Sequence, residues 1–296
     1  MHILLIGCGR TGRAIAENLV ELKETKELLF YSRTSKSAKG LAADLDSAKV
    51  RVLENLSALQ KVDYIILSLS GISDSARTES MISRSSTYEV RQDELKFNLG
   101  AVADLLRYLK KISSKTRIIV VTNPVDEITN YLRLKLNRND ILGFGMELDA
   151  KRYEKVLGKK VFCIGTHGKA IPIINSTNEK KYDELAHKTD FELLAFIRAH
   201  GIPHKAAGLA FRDFFERLTN AKEQTVQVSG HLYKPFLGVK DLTISLPFIA
   251  KKGKLLRIAH FSPNTIEQKR FVASAKELQH SVNHILDTHQ KLLSYK

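Results

Sequence analysis

The sequence has few cysteines and no long apolar run. Its 296 residues include only two cysteines, Cys8 and Cys163. Two isolated thiols do not suggest a disulfide framework or a cysteine metal cluster, so we expect a reducing cytoplasm and no bound metal. No segment approaches the roughly 18 apolar residues of a membrane span. The first apolar run, of about four residues, is too short for a signal peptide.

Acidic residues are also scarce relative to basic ones. There are 47 Lys and Arg against 32 Asp and Glu, a formal net charge of +15, which favours negatively charged ligands. The basic residues are spread along the chain, and this spread is typical of a solvated surface rather than a nucleic-acid site. We therefore expect a small anionic substrate and no nucleic-acid or membrane partner. The length and the 43% hydrophobic content are sufficient for two lobes.

What the sequence does contain is a glycine-rich turn near its start. An apolar run at 3–6 predicts a buried strand, and helical periodicity follows at 13–21. In between, the glycines have the spacing G-x-G-x-x-G of the dinucleotide-binding fingerprint. The first glycine makes the tight turn, the second lets a pyrophosphate approach the backbone, and the third lets the helix pack on the strand. The predicted cofactor contacts are Gly7, Cys8, Gly9, Arg10, Thr11 and Gly12.

The end of the second predicted strand, at 27–31, bears on which dinucleotide binds. An acid about 20 residues after the fingerprint commonly holds the ribose 2′-hydroxyl of NAD. Here that position is Ser32, and Arg33 follows it. A hydroxyl and a guanidinium accept a 2′-phosphate that a carboxylate would repel. The sequence therefore favours NADP over NAD, and the alternative is an ordinary basic loop.

The first half of the chain alternates strands and helices. Further strands are predicted at 50–53, 62–69, 116–121 and 140–143, and further helices at 37–48 and 93–112. This alternation predicts a parallel sheet covered on both faces. The long Ser- and Thr-rich segment between Gly71 and Arg91 predicts a loop, either a functional lid or a mobile insertion. Asn123 follows the strand at 116–121, where such sheets contact ligands.

From residue 145 onward the pattern changes. Helices are predicted at 146–157, 182–200, 204–219 and 264–293, and strands at 161–164, 225–229, 242–248 and 254–258. The mixture predicts an α+β domain. We therefore divide the chain into a Rossmann-type dinucleotide-binding domain at 1–144 and a substrate-binding domain at 145–296. Within the helix at 146–157, Asp149 and Arg152 are three residues apart and share a face.

Five polar residues stand far apart in the sequence: Arg91, Asn123, Asp149, Arg152 and His167. Singly, each has an ordinary explanation, such as a structural histidine or a surface ion pair. In their order and settings they make the chain resemble the lactate/malate dehydrogenase family over nearly its whole length. The remaining motifs of this resemblance are the glycine turn, Gly40-Leu41-Ala42-Ala43-Asp44-Leu45, Thr122-Asn123-Pro124-Val125-Asp126, Leu148 to Arg152, Thr166-His167-Gly168, Leu246-Pro247 and Ser274-Ala275.

The resemblance implies the chemistry of a 2-hydroxy-acid dehydrogenase. His167 matches the family's proton-transfer histidine, which acts on the substrate oxygen while the nicotinamide transfers a hydride. Asp149 matches the acid that orients this histidine and stabilises the imidazolium. Arg152 matches the arginine that binds the substrate carboxylate with its planar fork.

The resemblance also implies further contacts. Arg91 is similar to the loop arginine that closes over the substrate and polarises its carbonyl. Asn123 matches a residue that hydrogen-bonds the substrate. Asn98 and Val121, with Asn123, match positions beside the nicotinamide.

Some positions depart from the family. Thr166 and Lys169 replace two acids that flank the histidine, and the segment before Arg91 is longer than usual. In the family, an arginine about six residues before the loop arginine selects dicarboxylates. Arg84, seven residues before Arg91, is the nearest match and Arg77 is another candidate, so we expect a malate-type enzyme. Ser32 and Arg33 lead us to expect a preference for NADP, and the resemblance implies a homodimer or homotetramer. The alternatives are NAD as cofactor, a lactate or bulkier 2-hydroxy-acid substrate, and a non-catalytic nucleotide-binding regulatory relative.

Overall fold

The structure is a computed structural model that describes residues 1–59, 61–72, 86–201 and 203–294, together with 76, 79 and 83. Its strands are β1 (His2–Ile6), β2 (Glu27–Tyr31), β3 (Val50–Val52), β4 (Tyr64–Leu67), β5 (Arg117–Val120), β6 (Leu142–Gly143), β7 (Cys163–Thr166), β8 (Lys169–Pro172), β9 (Gln224–His231), β10 (Thr243–Lys251) and β11 (Lys254–Ile258). Its longer helices are α1 (Arg10–Leu19), α2 (Ser35–Leu45), α3 (Thr87–Leu109), α4 (Val125–Leu136), α5 (Met146–Leu157), α6 (Lys180–His200), α7 (Lys205–Thr219) and α8 (Thr265–Ser294).

The first half of the chain forms a parallel sheet in the order β3-β2-β1-β4-β5-β6. Its central strands are apolar apart from their first residues, and Leu4, Ile66 and Ile119, for example, are fully buried. Continuous apolar strands are expected where helices cover both faces of a parallel sheet. The strand order reverses between β1 and β4, which creates a crevice at the carboxyl ends of these strands. The predicted Rossmann-type sheet is confirmed.

The second half of the chain extends the same sheet with antiparallel strands. β6 meets β9 at the pair Gly143 and Ser229, and β10, β7 and β8 follow, with β11 on β10. The predicted α+β character is therefore confirmed. The predicted domain boundary between 144 and 145 falls between β6 and α5 and stays a prediction. Among the described residues, no helix is long and apolar enough to cross a membrane.

One turn of the second half differs from the prediction. The strand predicted at 161–164 lies at Cys163–Thr166, and β8 was not predicted. The two strands pair from Cys163 with Pro172 to Thr166 with Lys169, so His167 and Gly168 form the tip of a hairpin. Gly168 has φ +92° there, a conformation that glycine adopts without steric cost. His167 thus lies in the two-residue turn between two paired strands.

Helix α3 begins earlier than predicted. The Ser86 side chain accepts a hydrogen bond from the Glu89 amide at 3.3 Å, and Glu89 lies in the first turn. Ser-x-x-Glu is the capping-box spacing, which stabilises a helix start at Thr87. The prediction of a loop reaching Arg91 is therefore wrong, since Arg91 lies within α3. The side chain of Arg91 and the whole of Arg84 lie outside the described residues.

Aromatic side chains from α7 connect the two halves. Phe211, Phe214 and Phe215 are fully buried. Phe211 contacts Phe144 after β6 at 5.0 Å between ring centroids, and Phe215 contacts Tyr64 of β4 at 4.9 Å. Burial of one such ring stabilises a fold by about 1.5–3 kcal/mol. The elements that carry the site therefore share one core.

Candidate active site

A cavity of about 840 Å³ lies at the carboxyl ends of β1, β4 and β5, and we call it the dinucleotide cleft. The cleft is lined by these predicted cofactor contacts: Gly7, Cys8, Gly9, Arg10, Thr11, Ser32, Arg33, Val121 and Asn123. Gly12 is absent from the lining, because it faces the strand. A Cβ on Gly12 would collide with the Gly7 carbonyl oxygen, which is the close helix–strand contact that the third fingerprint glycine permits.

The glycine turn fits a dinucleotide. Gly7 has φ +103°, and a Cβ there would collide with the Ser68 carbonyl. Gly9 faces open space, and no described atom lies within 4 Å of the point that a Cβ would occupy. The amide groups at the start of α1 therefore remain accessible to a pyrophosphate. Burial raises the pKa of the Cys8 thiol to about 12, so a neutral thiol, not a thiolate, lines the turn.

The rim of the cleft beyond β2 consists of hydroxyl and basic side chains. Ser32, Arg33, Thr34 and Ser37 line it, and Arg33 is exposed. The Ser32 hydroxyl donates to the Thr34 carbonyl oxygen at 2.5 Å. These four side chains include no carboxylate. The rim is therefore compatible with an anionic group on the ribose.

Asn98 joins two of the loops at the inner end of the cleft. Its Oδ1 accepts a hydrogen bond from the Gly71 amide at 2.6 Å, and its Nδ2 donates to the Asn123 carbonyl at 2.7 Å. The side chain is buried and does not line the cleft. Asn98 thus fixes the loop after β4 against the loop after β5. Its predicted contact with a nicotinamide stays a prediction.

Three predicted residues meet at the tip of the β7–β8 hairpin, and we call them the His167 cluster: His167, Asp149 and Arg152. His167 Nδ1 lies 2.7 Å from Asp149 Oδ2, and Arg152 Nη1 donates to Asp149 Oδ1 at 2.8 Å. The Gly168 amide also donates to Asp149 Oδ2 at 2.8 Å. The His167 and Asp149 side chains are each 6% exposed and that of Arg152 is 24% exposed.

The orientation of His167 depends on α5. The three-residue spacing on α5 directs Asp149 and Arg152 to one side. Asp149 then accepts from the imidazole and from the turn amide together. Because Nδ1 faces a carboxylate, the proton sits on Nδ1 in the neutral ring, and Nε2 is then the basic nitrogen of the ring.

Asp126 and Gly145 support His167, and the sequence analysis did not identify either residue in this role. Asp126 Oδ2 accepts the His167 main-chain amide at 2.7 Å. A Cβ on Gly145 would lie 2.5 Å from His167 Cγ, so only glycine fits against the ring. Asp126 stood out only as part of the Thr122 to Asp126 motif. Neither contact has a sequence signal, since both join residues that are distant along the chain.

A second cavity, of about 340 Å³, borders Asp149 and Arg152. Lys169 lines it, pairs with Glu277 of α8 at 2.9 Å, and lies 4.1 Å from the centre of the Tyr88 ring. Lys169 stands where the resemblance leads one to expect an acid. The lysine connects β8 to α3 and α8 at the edge of the His167 cluster.

A buried acid lies between α3 and α4. Gln92 Nε2 donates to Glu127 Oε1 at 2.6 Å. Burial is the main cause that raises the pKa of Glu127 to about 7. This contact anchors α3 one residue after Arg91. The sequence analysis had not identified Glu127.

The likeness to known proteins agrees with this geometry. Residues 1–141 match the family model of the lactate/malate dehydrogenase NAD binding domain. Malate dehydrogenase from Bacteroides thetaiotaomicron is 24% identical, over 95% of this chain and 96% of that protein. The L-2-hydroxycarboxylate dehydrogenase (NAD(P)(+)) from Methanocaldococcus jannaschii is 27% identical, over 83% of this chain and 87% of that protein.

Solved structures share the fold over nearly the whole length of the chain. Malate dehydrogenase from Cryptosporidium parvum superposes with a TM-score of 0.80 at 21% identity, covering 97% of this chain and 100% of that chain. L-lactate dehydrogenase from Clostridium thermocellum gives 0.74 at 20% identity, covering 96% and 98%. Residues 1–141, which form most of the dinucleotide cleft, therefore belong to the lactate/malate dehydrogenase NAD binding domain family, and the chain as a whole is similar to malate and 2-hydroxycarboxylate dehydrogenases.

Proposed function

We propose that this protein is an NADP-preferring 2-hydroxy-acid dehydrogenase that interconverts malate and oxaloacetate. The observation that carries the proposal is the His167 cluster, in which one carboxylate holds both an imidazole and a guanidinium. A site that reduces a 2-oxo acid needs a positioned proton donor and a group that binds the carboxylate. The cluster supplies both. The names of the relatives support the same reaction class.

The proposed catalytic residues are His167 and Asp149. In the reducing direction, a bound nicotinamide supplies the hydride. His167 gives the proton from Nε2 to the 2-oxo oxygen. Asp149 holds Nδ1–H at 2.7 Å, which fixes the tautomer and stabilises the imidazolium before the proton leaves. In the oxidising direction the neutral imidazole accepts the hydroxyl proton.

The proposed substrate contacts surround this histidine. Arg152 has five N–H donors in a planar fork, and beyond its bond to Asp149 it binds the carboxylate next to the reacting carbon. Asn123 donates to the substrate, and Arg91 polarises the carbonyl. Arg84 binds the second carboxylate of malate, and so accounts for the choice of a dicarboxylate.

The preference for NADP is proposed from the rim of the cleft. Ser32 and Arg33 stand where an acid would hold the 2′-hydroxyl of NAD. Arg33 forms charge-assisted hydrogen bonds with a 2′-phosphate, and these bonds are absent with NAD. The glycine turn Gly7 to Gly12 and Val121 contact the common part of both cofactors.

A substrate and cofactor panel tests the proposal. Oxaloacetate, pyruvate and a branched 2-oxo acid are each offered with NADPH and with NADH, and cofactor oxidation is followed by absorbance. We expect the highest kcat/KM for oxaloacetate with NADPH. If only pyruvate or only the branched acid is turned over, the assignment of malate and oxaloacetate as substrates is wrong. If no acid is turned over while NADPH binds in a fluorescence titration, the protein is a non-catalytic relative.

We also propose a cytoplasmic homodimer or homotetramer. Large apolar side chains on α6 and α7 are exposed in the single chain, with Phe191 at 70% and Leu209 at 59%. Contact with a second copy would remove them from water. Sedimentation equilibrium tests the assembly, and a monomer mass at micromolar concentration contradicts it.

A further inference from the structure

Three oxygen atoms form a closed triangle beneath the β7–β8 hairpin. Ser229 Oγ of β9 and Ser245 Oγ of β10 lie 2.7 Å apart. Ser245 Oγ lies 3.1 Å from Asp126 Oδ1, and Ser229 Oγ is hydrogen-bonded to the same oxygen. All three residues are at most 1% exposed. The triangle is therefore shielded from bulk solvent, and in the described part of the chain these three oxygens contact one another.

The other oxygen of Asp126 faces the His167 cluster. Asp126 Oδ2 accepts the main-chain amide of His167 at 2.7 Å. One carboxyl group therefore connects α4, two strands of the second half and the hairpin tip. A shift of this carboxyl would move the His167 backbone, and with it the imidazole that Asp149 holds.

The number of protons indicates the charge of Asp126. Three oxygen–oxygen contacts each need one proton, and the two serine hydroxyls supply only two. If Asp126 were ionised, one contact would bring two oxygens together without a proton between them. A proton on Oδ1 completes the ring, with each oxygen donating once and accepting once. Oδ2 is then still free of a proton and accepts from the His167 amide.

The surroundings also disfavour a charge on this group. Burial raises the pKa of Asp126 above its ordinary value, and the Asp149 carboxylate adds to the increase, against the hydrogen bonds from Ser229, His167 and Ser245. Glu127 is a further buried acid beside it on α4, and Tyr88 of α3 is close enough to be influenced by Asp126. A second negative charge near Asp149 would be costly in so dry a site.

We propose that Asp126 is a positioning residue that holds His167 in place as an uncharged carboxylic acid. It acts through the main-chain amide, while Asp149 acts through the ring and carries the charge. The imidazole then responds to one carboxylate instead of two, which suits a group that must both give and accept a proton. Only the expected effect on turnover rests on the proposed function; the charge of Asp126 and its contact with His167 do not.

Asparagine at position 126 is the informative substitution. An amide has the shape and the zero charge of a protonated carboxyl: its oxygen accepts from His167, and its nitrogen donates to the serines although, unlike Oδ1, it accepts from neither. Asp126→Asn is compared with wild type and with Asp126→Ala, which removes both contacts. The readouts are the infrared band of a protonated carboxyl at about pH 8, the His167 pKa by nitrogen-15 NMR, and the pH profile of kcat/KM.

We expect the wild type to show a carboxylic-acid band at about pH 8 that is missing in Asp126→Asn. We expect the His167 pKa to agree between the two within about 0.3 unit, since no charge has been removed. Asp126→Ala should lower kcat/KM at least about tenfold, because the hairpin tip is no longer held, and Asp126→Asn should restore most of that loss.

Two results overturn the inference. One is the absence of the band, together with a fall of about one unit or more in the His167 pKa of Asp126→Asn, which is the response to losing a nearby carboxylate. The other is a fully active Asp126→Ala. If Asp126→Ala does not fold, the infrared and NMR measurements on Asp126→Asn and wild type still test the inference. Both arms need no turnover, so a failure of the proposed function is distinguishable from a failure of this inference.

Discussion

The dinucleotide cleft and the His167 cluster, the two parts of the proposed site, are built differently. The cleft is formed by the backbone of one short turn, and its key residues lie within Gly7 to Gly12. The cluster is formed by side chains from α5 and from the β7–β8 hairpin, with support from α4, β9 and β10. A cleft formed by main-chain groups tolerates changes in the neighbouring side chains, whereas the His167 cluster depends on each of its side-chain hydrogen bonds. Substitutions in the cluster should therefore affect chemistry, and substitutions in the cleft should affect cofactor choice.

The largest effect is expected for His167→Ala. Loss of the proton donor should lower kcat about 10²–10⁴-fold, while the dissociation constant for NADPH stays within about twofold. Steady-state kinetics and a fluorescence titration measure the two quantities. His280→Ala, at an exposed position on α8, is the matched control. Equal turnover by His167→Ala and the control would remove the proposed mechanism.

Glu127→Gln should change how stability depends on pH. The folded pKa of Glu127 is raised to about 7 from an ordinary value of 4.5, mainly by burial. Its protonated form therefore stabilises the fold below about pH 4.5, and this contribution is lost as the pH rises through about 7. Between about pH 5 and pH 8, the free energy of unfolding should fall by a few kcal/mol less in the variant than in the wild type. Urea unfolding at the two pH values measures this, and parallel curves for both proteins would contradict it.

Gly145→Ala tests the space beside His167. The added Cβ would lie 2.5 Å from His167 Cγ, so the ring must move, and a displacement of this kind costs roughly 10²-fold in kcat/KM. Gly100→Ala is the control, because Gly100 lies in α3 with no described atom within 4 Å of the added Cβ. It should leave kcat/KM unchanged and stabilise the helix by up to about 1 kcal/mol. Full activity in Gly145→Ala would mean that the ring is not confined.

The smallest of these effects is expected in the cleft. Ser32→Asp brings a carboxylate to the 2′-phosphate and should lower kcat/KM for NADPH about tenfold relative to NADH. The value of kcat with saturating NADH should not change. Ser57→Asp, at an exposed position outside the cleft, controls for added charge. A constant NADPH/NADH ratio would show that Ser32 does not face the ribose.

The same contrast explains what the sequence could predict. The parallel sheet was predictable because apolar runs in β1, β4 and β5 are local signals. The residues Asp149, Arg152 and His167 could be identified by their order and motifs. The hairpin strand β8 and the early start of α3 were not predicted. The turn at Gly168 and the capping box at Ser86 and Glu89 were present in the sequence as short-range signals.

The support beneath His167 could not be predicted, for a physical reason. Asp126 reaches His167 across 41 positions and Ser245 across 119, and no periodicity encodes such contacts. Gly145 stands just before α5, and nothing in its local sequence indicates a contact with His167. The His167 ring, at the tip of the β7–β8 hairpin, leaves no room for a side chain at position 145. These contacts exist only once both halves of the chain have packed.

Transfer of a label from the cofactor tests the central claim most directly. NADPH carrying deuterium at the transferring position of the nicotinamide is incubated with oxaloacetate and the wild-type protein, and the malate is examined by mass spectrometry. We predict malate with one deuterium on the carbon that bears the new hydroxyl. Its rate of formation should be about 10²–10⁴-fold lower in His167→Ala. Malate without deuterium, or no malate at all under conditions where NADPH is bound, would contradict the account.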